Sequence, residues 1–318
     1  MEGIINILKP PGMTSHDVIS FLRRTTGERK IGHCGVLDPE AAGVLPVCLG
    51  QATRLADFLS GGEKSYYCEM KLGYETETQD IWGKTTWACP AGMPDPFTQP
   101  DRISESARSL VGEIRQEVPA YSSVKREGKS LYKYAREGKP YSGIIRNVSV
   151  YSIELVKRLP DDPANAGSPA ERGISFIIEC GSGTYVRMIC RDLGRKLGCG
   201  GVMSFLLRLN VGPFRLEDSV TLEEILRRKE GEAPFEDILA PKELALARVP
   251  AIRAEDREAA KLRQGQSVWL PAADTGSGSE EEVWVSDRDQ RLVALGSFTR
   301  GYGERAGQVL YKPNKTFQ

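Results

Sequence analysis

Gly32-His33-Cys34-Gly35-Val36-Leu37-Asp38-Pro39, running on into Glu40-Ala41-Ala42-Gly43-Val44-Leu45-Pro46, fits no regular element in its first half. Gly32 and Gly35 permit tight backbone geometry, and Pro39 pushes Asp38 away from the helical region. The second half opens the apolar run 43–49, which reads as a buried strand interrupted by Pro46. An irregular loop that delivers an aspartate at the start of a buried strand is the feature around which the rest of the chain is arranged.

Upstream, Thr14-Ser15-His16-Asp17 reads as a capping box, Val18, Ile19 and Leu22 supply a helical stripe, and Gly27 ends it. Downstream, a short helix is expected at about 52–59. Residues 64–72 then alternate, Tyr66, Cys68, Met70 and Leu72 against Tyr67, Glu69 and Lys71, as a half-buried strand does. A helix at 104–111, a strand at 174–180, the turn Gly181-Ser182-Gly183 and a helix at 184–197 follow. That last helix carries an apolar line, Ile189, Leu193 and Leu197, and a basic line, Arg187, Arg191 and Arg195. Pro- and Gly-rich stretches at 85–101, 159–172 and 273–282 read as surface insertions. Strand-like runs at 267–270, 282–285, 292–296 and 309–311 predict a small β-barrel or sandwich. The class is α+β in two domains, 1–247 and 248–318.

Hydrophobic residues at 40% with 27% charged exclude wholesale disorder, and 318 residues suffice for two domains. No apolar run approaches the roughly 20 residues that cross a bilayer, and the apolar segment 4–8 is too short for a signal peptide. A cytoplasmic location is therefore expected. The seven cysteines are scattered with no CxxC pair, and His16 and His33 are the sole histidines, so zinc is disfavoured and reduced core thiols are expected.

Asp38 is the first candidate for chemistry, because catalytic groups gather on loops held by a rigid scaffold. The same Asp-Pro pattern also makes ordinary turns. Arg187 is the natural bidentate partner for a buried carboxylate, although a basic helical stripe usually faces water. Tyr66 puts a phenolic oxygen on the apolar face of a strand, where it needs a partner or a ligand.

At these residues the chain resembles the TruB family of tRNA pseudouridine-55 synthases. The stretch 32–46 is similar to that family's catalytic loop, and Asn6-Ile7-Leu8-Lys9-Pro10-Pro11-Gly12-Met13-Thr14-Ser15 to its N-terminal motif. Lys64-Ser65-Tyr66 resembles its Lys-x-Tyr strand, and Glu77-Thr78-Gln79-Asp80-Ile81-Trp82-Gly83 the loop that follows. Pro119-Ala120-Tyr121-Ser122-Ser123-Val124-Lys125, continued by Leu131-Tyr132-Lys133-Tyr134-Ala135-Arg136, resembles a bacterial RNA-gripping insertion at about 119–147. Cys180-Gly181-Ser182-Gly183-Thr184-Tyr185-Val186-Arg187 and Leu206-Leu207-Arg208 complete the set, and the C-terminal run to Phe317 is similar to a PUA RNA-binding domain.

The resemblance implies a pseudouridine-synthase fold, with a central mixed, largely antiparallel sheet flanked by helices and loops. It implies isomerisation of a tRNA T-loop uridine, position 55, to pseudouridine after base flipping. Asp38 is then the nucleophile, Arg187 its partner, and Tyr66 stacks on the uracil and assists removal of the C5 proton. Tyr185 and Leu206 line the uracil pocket, Lys9 and Pro10 brace the catalytic loop, Asp80 contacts substrate, and His33 fills the gap left by the flipped base. No metal, cofactor or guide RNA is expected, the partner is the tRNA T-arm, and the protein is expected to be a monomer. An RNA-binding or tRNA-folding chaperone with secondary catalysis is the alternative, and a hydrolase pairing Asp38 with Glu40 a weaker third.

Lys plus Arg and Asp plus Glu both total 43, which argues against RNA binding until the charge is counted by segment. The segments 120–150 and 180–215 each carry a net charge of +5 and 291–318 a net +4, while acid collects at 217–258. Neutral overall, the chain is expected to be dipolar.

Overall fold

The computed structural model describes residues 1–90, 96–98, 100–159, 172–271, 282–301 and 306–317. The chain begins with β1 (Gly3–Lys9), α1 (Ser15–Thr26), β2 (Ile31–His33), β3 (Ala42–Leu49), α2 (Ala56–Gly61) and β4 (Lys64–Leu72). A hairpin of β5 (Tyr74–Thr76) and β6 (Thr85–Ala88) precedes α3 (Pro100–Arg108) and β7 (Gly112–Glu117). Then come the two-residue β8 (Lys125–Arg126) and β9 (Lys129–Ser130), α4 (Leu131–Arg136), β10 (Ile145–Leu159), β11 (Gly173–Cys180) and α5 (Val186–Leu197). The larger unit closes with β12 (Gly201–Val211), β13 (Phe214–Arg215), α6 (Leu222–Lys229) and β14 (Leu239–Ala240).

These form one sheet in the order β14-β1-β3-β12-β4-β11-β10-β7, with β2 beside β3 and β13 beside β12. The β3–β12 pair is parallel and the other pairs of this sheet are antiparallel, as a mixed, largely antiparallel sheet requires. Both faces are covered around β1 and β3. Ile5, Ile7, Leu45 and Val47 pack with Val18 and Leu22 of α1, whereas Ile4, Val44 and Cys48 face a second cluster. α5 covers β4, β11 and β12 with Ile189, Leu193 and Leu197.

The local signals act as expected in α1. Thr14 and Asp17 form a reciprocal capping box, and Gly27 ends the helix in the left-handed region. Three expectations change. Residues 31–33 are a short strand, so the irregular loop begins after His33. Pro46 does not interrupt β3. Its carbonyl accepts from Cys34 N–H just beyond the end of β2, so the missing proline N–H falls where that ladder stops. Thr85–Ala88, expected in a loop, is strand β6 because its Thr-Thr-Trp run finds β5 to pair with. Of the expected insertions, 91–95, 99, 160–171 and 273–281 lie outside the described residues, and α3 begins at Pro100, inside the first of them.

The second sheet holds β15 (Ala251–Arg253), β16 (Val268–Pro271), β17 (Val283–Ser286), β18 (Leu292–Arg300) and β19 (Gln308–Thr316), with α7 (Asp256–Arg263) after β15. Its order, β15-β17-β18-β19-β16, makes a curled half-barrel around Ile252, Leu262, Val285, Phe298 and Tyr311. It does not stand apart. Leu292, Leu295 and Phe317 share a cluster with Leu55, Leu59 and Leu246, and Lys315 donates to the Arg54 carbonyl at 2.9 Å. No helix among the described residues is long and apolar enough to cross a membrane. All seven cysteines are free thiols and six of them are buried.

Candidate active site

The loop between β2 and β3 is pinned by side chains of three elements, α1, β1 and β12, while Lys64 of β4 fastens the chain that follows α2. Ser15, at the start of α1, both donates to the Leu37 carbonyl (3.2 Å) and accepts from Leu37 N–H (3.0 Å). Lys9, fully buried at the end of β1, donates to the carbonyls of Pro39 (2.9 Å), Met13 (2.6 Å) and Pro10 (2.8 Å). Burial pulls its ammonium down to about 8, against the opposing pull of Glu40. Lys64 opens β4 and donates to the carbonyls of Ser60 and Gly62, with burial again lowering its pKa to about 8. Arg208 of β12 donates to the carbonyls of Val44, Val36 and Gly35. At Gly43 (φ +115°) an added Cβ would lie 2.2 Å from the Arg208 carbonyl oxygen, so only glycine lets β3 approach β12 this closely.

So held, Asp38 meets Arg187. The guanidinium grips the carboxylate with two bonds, Nε to Oδ2 at 2.8 Å and Nη2 to Oδ1 at 3.3 Å. Its remaining donors reach the carbonyls of Thr78 (Nη1, 2.8 Å) and Tyr121 (Nη2, 3.0 Å). The Arg187 side chain is only 5% exposed while that of Asp38 is 36% exposed, so the carboxylate is the part of the pair open to a ligand. Burial works against the Arg187 charge, but Asp38 beside it outweighs burial and holds the guanidinium above its ordinary pKa.

Tyr66 lies on the buried face of β4, among Leu37, Cys180 and Leu206. Burial pushes its phenol up to about 12, and the facing Arg208 opposes that shift. Leu206 packs on the same cluster, opposite Cys68. Tyr185 caps the N-terminus of α5, its backbone fixed on both sides by buried Gln116, which accepts from Tyr185 N–H (2.8 Å) and donates to its carbonyl (3.2 Å). Asp80 folds the loop carrying Thr78: its Oδ1 accepts from the Thr78 hydroxyl (2.5 Å) and from Trp82 N–H (3.2 Å). It therefore supports the carbonyl that receives Arg187, and burial raises its own pKa. Pro10 contributes its carbonyl to Lys9.

His33 ends β2, half-buried, with Nδ1 buried and without a hydrogen-bond partner among the described residues. Burial lowers its pKa, helped by the charges of Arg208 and His16. As pH falls through the ordinary imidazole range, about 6.5, the unfolded chain takes up this proton before the native chain does. Stability from His33 is thus present above that range and lost below it. The urea midpoint of the native protein is expected to fall further between pH 7.5 and 5.5 than that of His33→Gln, and equal falls would exclude this role.

Arg187, Asp38 and Tyr66 were visible as candidates in the sequence, but Arg208, Gln116, Ser15 and Lys64 were not singled out. Arg208 had two signals, its place in the Leu206-Leu207-Arg208 motif and its position as a lone cation inside an apolar strand run. The basic line on α5 does not face water as a stripe. Arg187 is buried, Arg191 pairs with Glu117 and Asp192, and Arg195 pairs with Glu75. Of the cations at 180–215, Arg187, Arg191 and Arg208 are therefore internal, while Arg195, Lys196 and Arg215 are exposed. In 119–147, by contrast, Lys125, Arg126, Lys133, Arg136, Lys139 and Arg146 are all exposed, with Arg126 over Tyr141 and Arg136 over Tyr132. Glu40 is solvent-exposed, whereas Asp38 is turned onto Arg187.

A family model described as TruB family pseudouridylate synthase (N terminal domain) matches residues 23–186, and one described as tRNA pseudouridylate synthase B C-terminal domain matches 187–247. The structure is similar to the crystal structure of a Cbf5-Nop10-Gar1 complex, with a TM-score of 0.73, 26% identity, and coverage of 99% of this chain and 85% of that one. A mixed sheet with an Asp–Arg pair beside a buried tyrosine is here the framework of a pseudouridylate synthase, an isomerase. Two relatives named tRNA pseudouridine synthase B narrow the class. That of Heliobacterium modesticaldum is 42% identical over 100% of this chain and 96% of its own length, and that of Moorella thermoacetica is 43% identical over 99% of each. The chain belongs to the TruB family.

Proposed function

We propose that this protein converts a tRNA uridine, position 55 of the T-loop, to pseudouridine, with Asp38 as nucleophile. The observation that carries the reading is the bidentate Arg187–Asp38 pair, in which a buried guanidinium presents an accessible carboxylate. In the isomerisation the N1–C1′ bond breaks, the base turns, C5–C1′ forms, and the C5 proton is lost as N1 gains one. A covalent bond to Asp38 divides this into two easier steps. The target base is stacked in a folded T-loop, so it must be extruded at a cost of a few kcal/mol. His33, at the end of β2, fills the gap left by the flipped base.

Tyr66 stacks on the uracil, Tyr185 and Leu206 line its pocket, and the Tyr66 hydroxyl assists loss of the C5 proton. Lys9, Pro10 and Asp80 act from outside the pocket by holding the two loops that meet at the Arg187–Asp38 pair. The exposed basic segment 119–147 grips phosphates, so affinity for RNA falls steeply with salt. The reading includes a catalytic unit at 1–247, a PUA-like unit at 248–318, action as a monomer in the cytoplasm, and no cofactor or guide RNA.

A T-arm minihelix tritiated at C5 of its uridine tests this. Tritium release by the protein alone, with pseudouridine as product, is the expected result. Binding without release would favour the RNA-chaperone alternative, free uracil would mean hydrolysis, and release only on adding guide RNA would overturn the stand-alone reading.

A further inference from the structure

Arg208 is among the largest fully buried side chains of the protein, and no carboxylate forms a salt bridge with it among the described residues. Two further cations, Lys9 and Lys64, lie close enough to feel its charge. A buried cation compensated only by carbonyl dipoles is costly, and a neutral residue of similar volume would avoid that cost. Arginine here does something a hydrophobic side chain would not.

Its contacts indicate what. Nε donates to the Val44 carbonyl at 2.7 Å, Nη1 to Val36 at 3.2 Å, and Nη2 to Gly35 at 3.4 Å. Gly35 and Val36 lie on the chain just before Asp38 and Val44 lies after it, so the guanidinium fills the inside of the arc that presents the carboxylate. Arg208 is also the cross-strand partner of Tyr66 in the β12–β4 ladder, so the two side chains leave the sheet side by side on the same face. A guanidinium has donors and no acceptor. In any hydrogen bond between these paired side chains the phenol oxygen must therefore accept, which leaves the Tyr66 O–H free to turn toward the pocket.

We propose that Arg208 is a positioning residue for the isomerisation, joining the Asp38 loop and the Tyr66 hydroxyl into one rigid unit and orienting the phenol for its part in proton removal. This rests on the role given above to Tyr66. Substrate need not touch Arg208, and its effect is felt in the rate of the step that uses Tyr66.

The test is a double-mutant cycle of Arg208→Lys and Tyr66→Phe, read by single-turnover tritium release and by RNA affinity. Arg208→Lys keeps the charge but cannot span three carbonyls and a phenol. It is expected to slow release by about 10²-fold with RNA affinity within about twofold of native. In the Tyr66→Phe background the same change is expected to cost less than about threefold, because the group it orients is already gone. An equal loss in both backgrounds, or a loss accounted for by weaker RNA binding, overturns the proposal.

A second measurement needs neither turnover nor a folded Arg208 variant. Tyr66→Phe removes the acceptor facing a buried guanidinium, and is expected to melt about 2–4 °C below the native protein. An unchanged or higher melting temperature would mean the contact does not hold, which overturns the proposal. Absence of release by the native protein itself would count against the tRNA reading, while the melting result still decides the Arg208–Tyr66 contact.

Discussion

Asp38→Asn is expected to release no measurable tritium from the T-arm, a fall of at least about 10⁴-fold, while RNA affinity stays within a few-fold. The amide is nearly isosteric, and its oxygen can still accept from Arg187, so the loop has little reason to move. What it lacks is the second anionic oxygen and the nucleophilicity of a carboxylate. The stability effect is expected to be modest, about 1–2 kcal/mol, because the Asp38 side chain is over a third exposed and Arg187 keeps the Thr78 and Tyr121 carbonyls. Single-turnover release and urea unfolding on the same preparation separate the two effects. A residual rate above about 1% of native would remove Asp38 from the nucleophile's position and leave it an electrostatic role.

The loop that carries Asp38 was legible because its signals are local. Glycine, proline and an aspartate in one short stretch restrict the backbone wherever the chain goes, and the Thr14–Asp17 cap and the alternation of 64–72 are of the same kind. What the sequence left open depends on partners distant along the chain. Arg187, Arg191 and Arg195 have the spacing of a solvated stripe. Only the fold brings Asp38, Glu117 and Glu75 to them from three different segments.

Pro46 was read as a break for the same reason: whether a missing N–H matters depends on which neighbour it would have faced. α7 passed unread across the end of an acidic tract, since only Ala259 and Leu262 mark its buried face. The segment charges are the most instructive case. The two +5 stretches look alike in sequence, yet 119–147 carries its cations on the surface whereas 180–215 buries Arg187 and Arg208 beneath the catalytic loop. Counting charge along the chain cannot tell a phosphate grip from an internal scaffold.

Arg187→Met is expected to be the most disruptive single change in the site. Four hydrogen bonds disappear with the guanidinium, and they join three segments: the Asp38 loop, the Thr78 loop and the start of the basic segment at Tyr121. Orphaning two carbonyls and leaving the part-exposed Asp38 carboxylate without its partner places the loss of stability at about 3–5 kcal/mol. Release should fall by at least about 10³-fold, because the carboxylate is no longer aimed.

Arg187→Lys separates charge from geometry. A single ammonium can satisfy Asp38 or the two carbonyls but does not reproduce the fork, so an intermediate loss of about 10–10²-fold is expected. The Tyr121 tie gives a further readout that activity does not. When it is cut, the segment from Tyr121 onward loses an anchor, and trypsin should cleave at the exposed Lys125 and Arg126 several-fold faster in Arg187→Met than in the native protein or in Asp38→Asn. If cleavage there is equally slow in all three, the active-site arginine does not restrain the basic segment, and its role ends at Asp38.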